Sequence, residues 1–462
     1  MRTAILNGTL VSAAETLPYD LYFDQGSILG AVPRGDQRFG PPEMSIDATG
    51  KYVLPGGVDV HTHLDLPMGA FNASDDYATG TLAAAHGGTT TIIDFVNHAR
   101  GESLLKNVEA WHQKAAGRAV IDYGFHMTVA EASPQVMAEL PAVVKSGISS
   151  VKVFFAYPER LLLDDPSVFR VMQRAADLGA LVLVHAEDGP PLDILVEQAR
   201  GRGEWAPINH ALTRPEVAEA TGTERAIALA EMAHAPVYIV HVSCARALTR
   251  IVEGKSRGLT VWGETCPQYL CLSEDDLRGT PEDPFAGAKF VCTPPLRPKI
   301  HQEALWRGLA QGHLDTVATD HCPFNYVGQK DRGRNDFTKI PNGLPGIETR
   351  LHLLYEAVTQ GKLSLERMVE VAATAPAKIF GLYPKKGSLL AGADADLVIW
   401  DPIRPVTLNA QSLHMRVDYS TYEGRTVPGS PMQVYSRGEL LIDRGCAKAA
   451  PGRGRFLARA PA

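Results

Sequence analysis

Five stretches of the sequence place a histidine, a lysine or an aspartate at or near the end of a short apolar run. The first contains Asp59-Val-His61-Thr-His63. Alternation along a strand puts Asp59, His61 and His63 on one face. Two imidazoles on one face can grip a cation in the geometry zinc prefers. In Ser149-Ser-Val-Lys152-Val-Phe-Phe155 a lysine interrupts an apolar strand. An isolated ammonium in a protein interior is strongly disfavoured, and burial lowers its pKa. A neutral lysine can take up carbon dioxide, and the resulting carbamate offers anionic oxygens to two cations at once. His185 closes Leu181-Val-Leu-Val-His, His241 follows Val237-Tyr-Ile-Val, and Asp320 stands in Thr316-Val-Ala-Thr-Asp-His. Each has a plain reading alone: paired loop histidines, a lysine snorkelling to a rim, a satisfied core imidazole. Together, four histidines, one lysine and one aspartate suffice for two divalent cations bridged by a modified lysine and a hydroxide. Nitrogen and oxygen ligands favour zinc, with manganese, cobalt or nickel also able to serve. Asp59 reads equally as an orienter of a ligand histidine or as a turn cap.

These residues need a scaffold that brings distant strand ends together. Apolar, β-branched runs recur at 52–61, 89–95, 123–129, 149–155, 181–185, 237–243, 260–264 and 316–321, with helical periodicity between them, as at 224–233 and 365–373. Alternation of this kind predicts a (β/α)8 TIM barrel whose chemistry gathers at the C-terminal ends of its strands. The first fifty residues and the stretch 387–444 hold short β-like runs separated by Gly, Asp and Pro turns, which suits a small β-sandwich built from both chain ends. The expected division is 1–52 and 383–445 for the sandwich, 53–382 for the barrel and 446–462 for a tail. That tail either crosses a neighbouring subunit or forms a flexible end.

The 462 residues allow this combination, and the formal net charge of −7 comes without a basic stripe. That pattern argues against nucleic-acid and membrane surfaces and for a small-molecule partner. The six cysteines, Cys244, Cys266, Cys271, Cys292, Cys322 and Cys446, have no regular spacing and read as isolated thiols. The N-terminal run is too short for a signal peptide, and no apolar stretch reaches the length of a membrane span, so a cytoplasmic location is expected.

Several motifs, in order, resemble the hydantoinase/dihydropyrimidinase branch of the amidohydrolase superfamily over nearly the whole chain. They are PGGVDVHTHLD (55–65), HGGTTTIIDF (86–95), SSVKVFFAY (149–157), VLVHAED (182–188), HALTRP (210–215), VYIVHVS (237–243), ETCPQYL (264–270), TPPLR (293–297), ATDHCPF (318–324), IPNGLPGIE (340–348) and AGADADLVIWDP (391–402). The resemblance implies hydrolytic ring opening of hydantoins or dihydropyrimidines to N-carbamoyl amino acids by a hydroxide held between two metals. It implies that His61, His63, Lys152 and Asp320 bind the more buried cation, and that His185 and His241 bind the second with carboxylated Lys152 as the bridge. It further implies that Tyr157 donates to the developing oxyanion, that Asp320 shuttles the proton, and that Thr293 and Asn342 bind the ring amides, largely through main-chain groups. Leu66, Met68, Phe154 and Leu161 would wall the pocket for the ring substituent. A homotetramer or dimer is implied as well. Departures occur at Thr293, often serine in relatives, at Leu344, often glycine, and at Leu161, often aromatic. These bear on substrate preference. Allantoinase or dihydroorotase chemistry on the same metals is the nearest alternative, and Tyr157 with the apolar wall weighs against it. A metal-free scaffold protein of the same shape is disfavoured because all six ligand positions are intact.

Overall fold

The computed structural model describes residues 1–460. Eight strands form one parallel sheet: β1 (Gly57–Thr62), β2 (Thr89–Val96), β3 (Asp122–Thr128), β4 (Ser150–Phe154), β5 (Leu181–His185), β6 (Val237–Ile239), β7 (Val261–Thr265) and β8 (Thr316–Val317). Each pairs with the next in parallel register. The circle closes between last and first through a bridge of Thr62 with His321 and a 2.8 Å bond from the His63 N–H to the His321 carbonyl. Arg350, 1 % exposed, stitches the same seam by donating to the carbonyls of Val58 and Val317, each at 2.9 Å.

The expected run 52–61 is two strands with a corner at Gly56. Tyr52–Pro55 belongs to the terminal sheet, whereas β1 belongs to the barrel. The corner is tight enough that any side chain at Gly56 would collide with Thr90. The sixth and eighth strands also stop earlier than their apolar patterns suggest. His241 and Asp320 lie beyond them with φ of 41° and 51°, a left-handed backbone that β-strand alternation does not describe. Hydrogen bonds offset the cost: the His241 N–H reaches Glu264 at 3.0 Å, and the Thr319 N–H reaches Asp59 at 3.1 Å.

Helices cover the barrel for reasons visible in their first turns. Asp164 caps the helix Asp165–Asp177 by accepting the Ser167 N–H at 2.9 Å, and Pro166 sits in the first turn where its missing N–H costs nothing. The helix buries Val168, Val171, Met172 and Ala175, one face at the helical repeat.

Two sheets assembled from both chain ends pack over a shared core that includes Ile5, Leu21, Phe23, Val53, Leu397 and Ile399. In the larger sheet Tyr52–Pro55 runs antiparallel to Leu397–Asp401 and parallel to Thr9–Val11. The tail then returns beneath its own barrel. Leu457 donates to the Tyr123 carbonyl at 2.7 Å, and the buried guanidinium of Arg459 bonds the Ser150 hydroxyl at 2.9 Å and the Phe125 carbonyl. The final two residues of the 446–462 tail lie outside the described residues. No helix among the described residues is long and apolar enough to cross a membrane.

Sandwich and barrel are joined by a buried charge cluster. The Lys386 Nζ lies 2.7 Å from Asp122, the first residue of β3, and 2.9 Å from both Asp394 and Asp396. Removing one partner from a buried ion cluster strands the others without compensation. Lys386→Met should therefore lower unfolding free energy by about 3–5 kcal/mol in urea titrations. An unchanged denaturation midpoint would show that the three carboxylates do not depend on this lysine.

Candidate metal centre

A cavity of about 470 Å³ opens at the C-terminal ends of the barrel strands. The six candidate ligands line it, His61, His63, Lys152, His185, His241 and Asp320, with Leu66, Met68, Phe154, Tyr157, Leu161, Thr293 and Asn342; Asp59 does not.

The polar groups form two sets. In the first, the Nε2 atoms of His61 and His63 each lie 3.2 Å from the same carboxylate oxygen of Asp320. In the second, His185 Nδ1 lies 2.9 Å from His241 Nε2. Lys152 projects from β4 into the barrel at 1 % exposure, its Nζ 4.9 Å from the Phe95 ring centroid and 5.2 Å from that of Phe154. It lines the same cavity as both sets, which adjoin, the His61 and His241 ring centroids lying 5.5 Å apart.

Protonation follows from burial. Burial pushes the His61 and His241 rings well below the ordinary imidazole range, so both are neutral. Burial also pushes the Lys152 amine down to about 8, against the pull of Glu264 and Asp320, which makes the neutral, nucleophilic form accessible near neutrality. For Asp320, burial acts upward, but His61, His63 and Lys152 hold the carboxyl below its usual range.

Two carboxylates decide which nitrogens face the cavity. Glu264 accepts the His61 Nδ1–H at 2.7 Å; its oxygens also accept the His241 N–H at 3.0 Å and the Tyr238 hydroxyl at 2.9 Å. Glu187 lies 3.0 Å from His185 Nε2. With those protons engaged behind the rings, bare lone pairs on His61 Nε2 and His185 Nδ1 point inward, the arrangement a metal ligand requires. Imidazole nitrogens and a carboxylate gathered in two adjoining sets fit a pair of divalent cations. Among the described residues, His86, Glu348 and His414 also gather nitrogen and oxygen atoms. Their two rings stack nearly parallel at 3.4 Å, however, so their in-plane lone pairs do not converge.

Of the two roles open to Asp59, it takes the turn cap: it contacts no imidazole nitrogen and accepts the Thr319 N–H at 3.1 Å and the Thr319 hydroxyl at 2.6 Å, pinning the turn that presents Asp320. Glu264 and Glu187 were missed as orienting groups. Each closes or follows an apolar run, at 260–264 and 181–187, which is the one signal the sequence offers for them.

Beside the imidazole cluster, Tyr157 adopts φ of 65°, and its carbonyl accepts the N–H groups of Arg160, Leu161 and Leu162 at 3.0, 2.9 and 3.0 Å. This turn holds the phenol in the cavity, where burial raises it to about 12 and keeps it a proton donor. His210, also on the cavity wall, secures the Thr293 segment, 2.9 Å from the Cys292 carbonyl and 3.1 Å from the Thr293 hydroxyl.

The Amidohydrolase family profile matches residues 52–441. A D-hydantoinase of Streptomyces coelicolor is 47% identical over 462 residues, spanning 99% of this chain and 98% of its own length. One from Geobacillus stearothermophilus is 48% identical over 100% of this chain and 97% of that protein. The crystal structure of a dihydropyrimidinase from Brevibacillus agri superposes with a TM-score of 0.96 at 48% identity, covering 100% of this chain and 99% of the other.

An orienting partner behind a ligand imidazole typically contributes about 10–100-fold in metal affinity. Glu264→Ala should lose divalent metal to a competing chelator at about 10–100-fold lower chelator concentration than the unaltered protein, with metal content read by elemental analysis. Equal retention would separate Glu264 from the orientation of His61.

Proposed function

The chain belongs to the amidohydrolase family, and from that membership we propose that it hydrolyses cyclic amides, opening 5-substituted hydantoins of D configuration and dihydropyrimidines to N-carbamoyl amino acids. The observation that carries this reading is the gathering of two imidazole sets, Asp320 and Lys152 in one cavity, in a chain about half identical to D-hydantoinases along their whole length.

His61, His63, Lys152 and Asp320 would hold one divalent cation, and Lys152, His185 and His241 the other, with zinc favoured by the donor atoms. For Lys152 to serve both, its neutral amine adds to the carbon of carbon dioxide; a C–N bond forms, the nitrogen releases a proton to solvent, and the carbamate carries the negative charge. Bound there, the two cations acidify a water and polarise the scissile carbonyl.

The protein's own groups do the rest. Tyr157, held protonated, donates its O–H to the carbonyl oxygen as negative charge develops there. Asp320 accepts the proton of the attacking water and returns it to the ring nitrogen as the C–N bond breaks. Main-chain groups of Thr293 and Asn342 hold the ring amides in register with these groups. Leu66, Met68, Phe154 and Leu161 receive the substituent; a leucine at 161 in place of an aromatic ring leaves room for bulky apolar groups. A homo-oligomer, tetramer or dimer, acting in the cytoplasm on small cyclic substrates completes the proposal.

Hydrolysis rates on 5-substituted hydantoins, dihydrouracil, allantoin and dihydroorotate, with chiral analysis of the products, test the substrate class. The expected result is turnover of the first two with D-configured N-carbamoyl products from the hydantoins; turnover confined to dihydroorotate or allantoin would overturn it. Lys152→Ala should lose both metals and activity, with short-chain carboxylic acids restoring part of each by standing in for the carbamate. An alanine variant with full metal content and full activity would remove the bridge.

A further inference from the structure

Lys330 is fully buried, at 0 % exposure, and it lies outside the candidate metal centre in the turn Lys330–Gly333. A buried ammonium is strongly disfavoured unless paired or fully hydrogen-bonded. Among the described residues no carboxylate pairs with this one; the titratable groups that influence it are the thiols of Cys292 and Cys322. Its Nζ instead donates to two main-chain carbonyls, Val291 at 3.1 Å and Pro341 at 2.9 Å. The Val291 carbonyl also accepts the Gly343 N–H at 3.0 Å. Gly343 itself, at φ of 144°, lies so close to the Cys322 carbonyl that a side chain could not fit between them. Burial pushes the amine down to about 7, yet both its charged and its neutral form keep enough N–H groups for two carbonyls.

The two tied segments are the ones that carry Thr293 and Asn342 to the cavity wall. Val291 precedes Thr293 by two positions, and Pro341 directly precedes Asn342. An aliphatic side chain would fill the same space but leave the Pro341 carbonyl without its lysine donor, so what the lysine adds here is the tie between the two main-chain segments.

We propose that Lys330 is a positioning residue: it sets the separation between the Thr293 and Asn342 main chains and thereby the affinity for the substrate ring. This inference rests on the reading that those two segments hold the ring amides. Lys330 touches no reacting atom, so its effect falls on binding more than on the chemical step.

The test uses the metal-loaded enzyme. Lys330→Met should raise KM about tenfold while kcat stays within about threefold and both metals remain, since positioning hydrogen bonds are lost and ligands are not. The factor should be alike for unsubstituted hydantoin and a 5-substituted one, because the affected segments face the ring. Lys330→Gln, whose amide still offers N–H groups, should fall between and serves if the methionine variant does not fold. Amide exchange at 291–293 and 342–343 should speed up in either variant. An unchanged KM, or KM, kcat and metal content failing together in both variants, would overturn the assignment. Amide exchange of the unaltered enzyme with an unhydrolysed cyclic imide tests the underlying reading separately. No slowing at those positions would remove the ring contact while leaving the tie between segments intact.

Discussion

The 2.7 Å hydrogen bond between His61 Nδ1 and Glu264 fixes the orientation on which the rest of the centre depends. An imidazole presents a donor at one nitrogen and a lone pair at the other, and nothing within the ring decides which faces inward. Glu264 decides it for His61, and the same carboxylate takes the His241 N–H, so one side chain registers a ligand from each set. Tyr238 and Thr316, 2.5 Å apart through their hydroxyls, extend the network downward and hold Glu264 in turn. The candidate ligand histidines are therefore aimed by a scaffold one layer below them.

That scaffold is dry, and dryness sets the chemistry of every group it holds. Burial favours neutral imidazoles over imidazolium, neutral lysine over ammonium, and phenol over phenolate. All three shifts favour the same outcome: nitrogens free to bind cations, an amine free to react, and a hydroxyl able to donate. The opposing tendency, to protonate buried carboxylates, is countered at Asp320 by the imidazoles and lysine around it. A surface cluster of the same residue types would titrate ordinarily and offer none of this.

Much of this was legible in the chain because strands encode their faces locally. The β-branched runs at 89–95 and 181–185 mark barrel strands nearly to the residue, and the candidate ligands His61, His63, Lys152 and His185 all lie on or beside such runs. His241 and Asp320 were identifiable by type, but their left-handed backbones were not, because those conformations are imposed by contacts with Glu264 and Asp59. The same limit hid the orienting carboxylates. Glu264 stands 203 positions from His61, a separation over which no periodicity carries information. The role of Asp59 was likewise open, since its partner Thr319 is 260 positions away and residue type alone does not distinguish a ring partner from a backbone pin. The corner at Gly56 was misread for a different reason: two strands of different sheets abut there, and apolar character runs through both.

The returning tail bears on how such a chain reaches its shape during synthesis. The β3 residue Asp122 accepts the N–H of Arg455, 333 positions later, and Ser150 receives the Arg459 guanidinium from 309 positions away. At ribosomal rates of about 5–20 residues per second, the underside of the barrel stays open for tens of seconds after its third strand has emerged. Early strands must therefore wait in a partly formed ring, with apolar edges that other nascent chains or a chaperone can reach. The barrel floor is completed late, by residues that contribute nothing to the ligand-bearing rim at the other end.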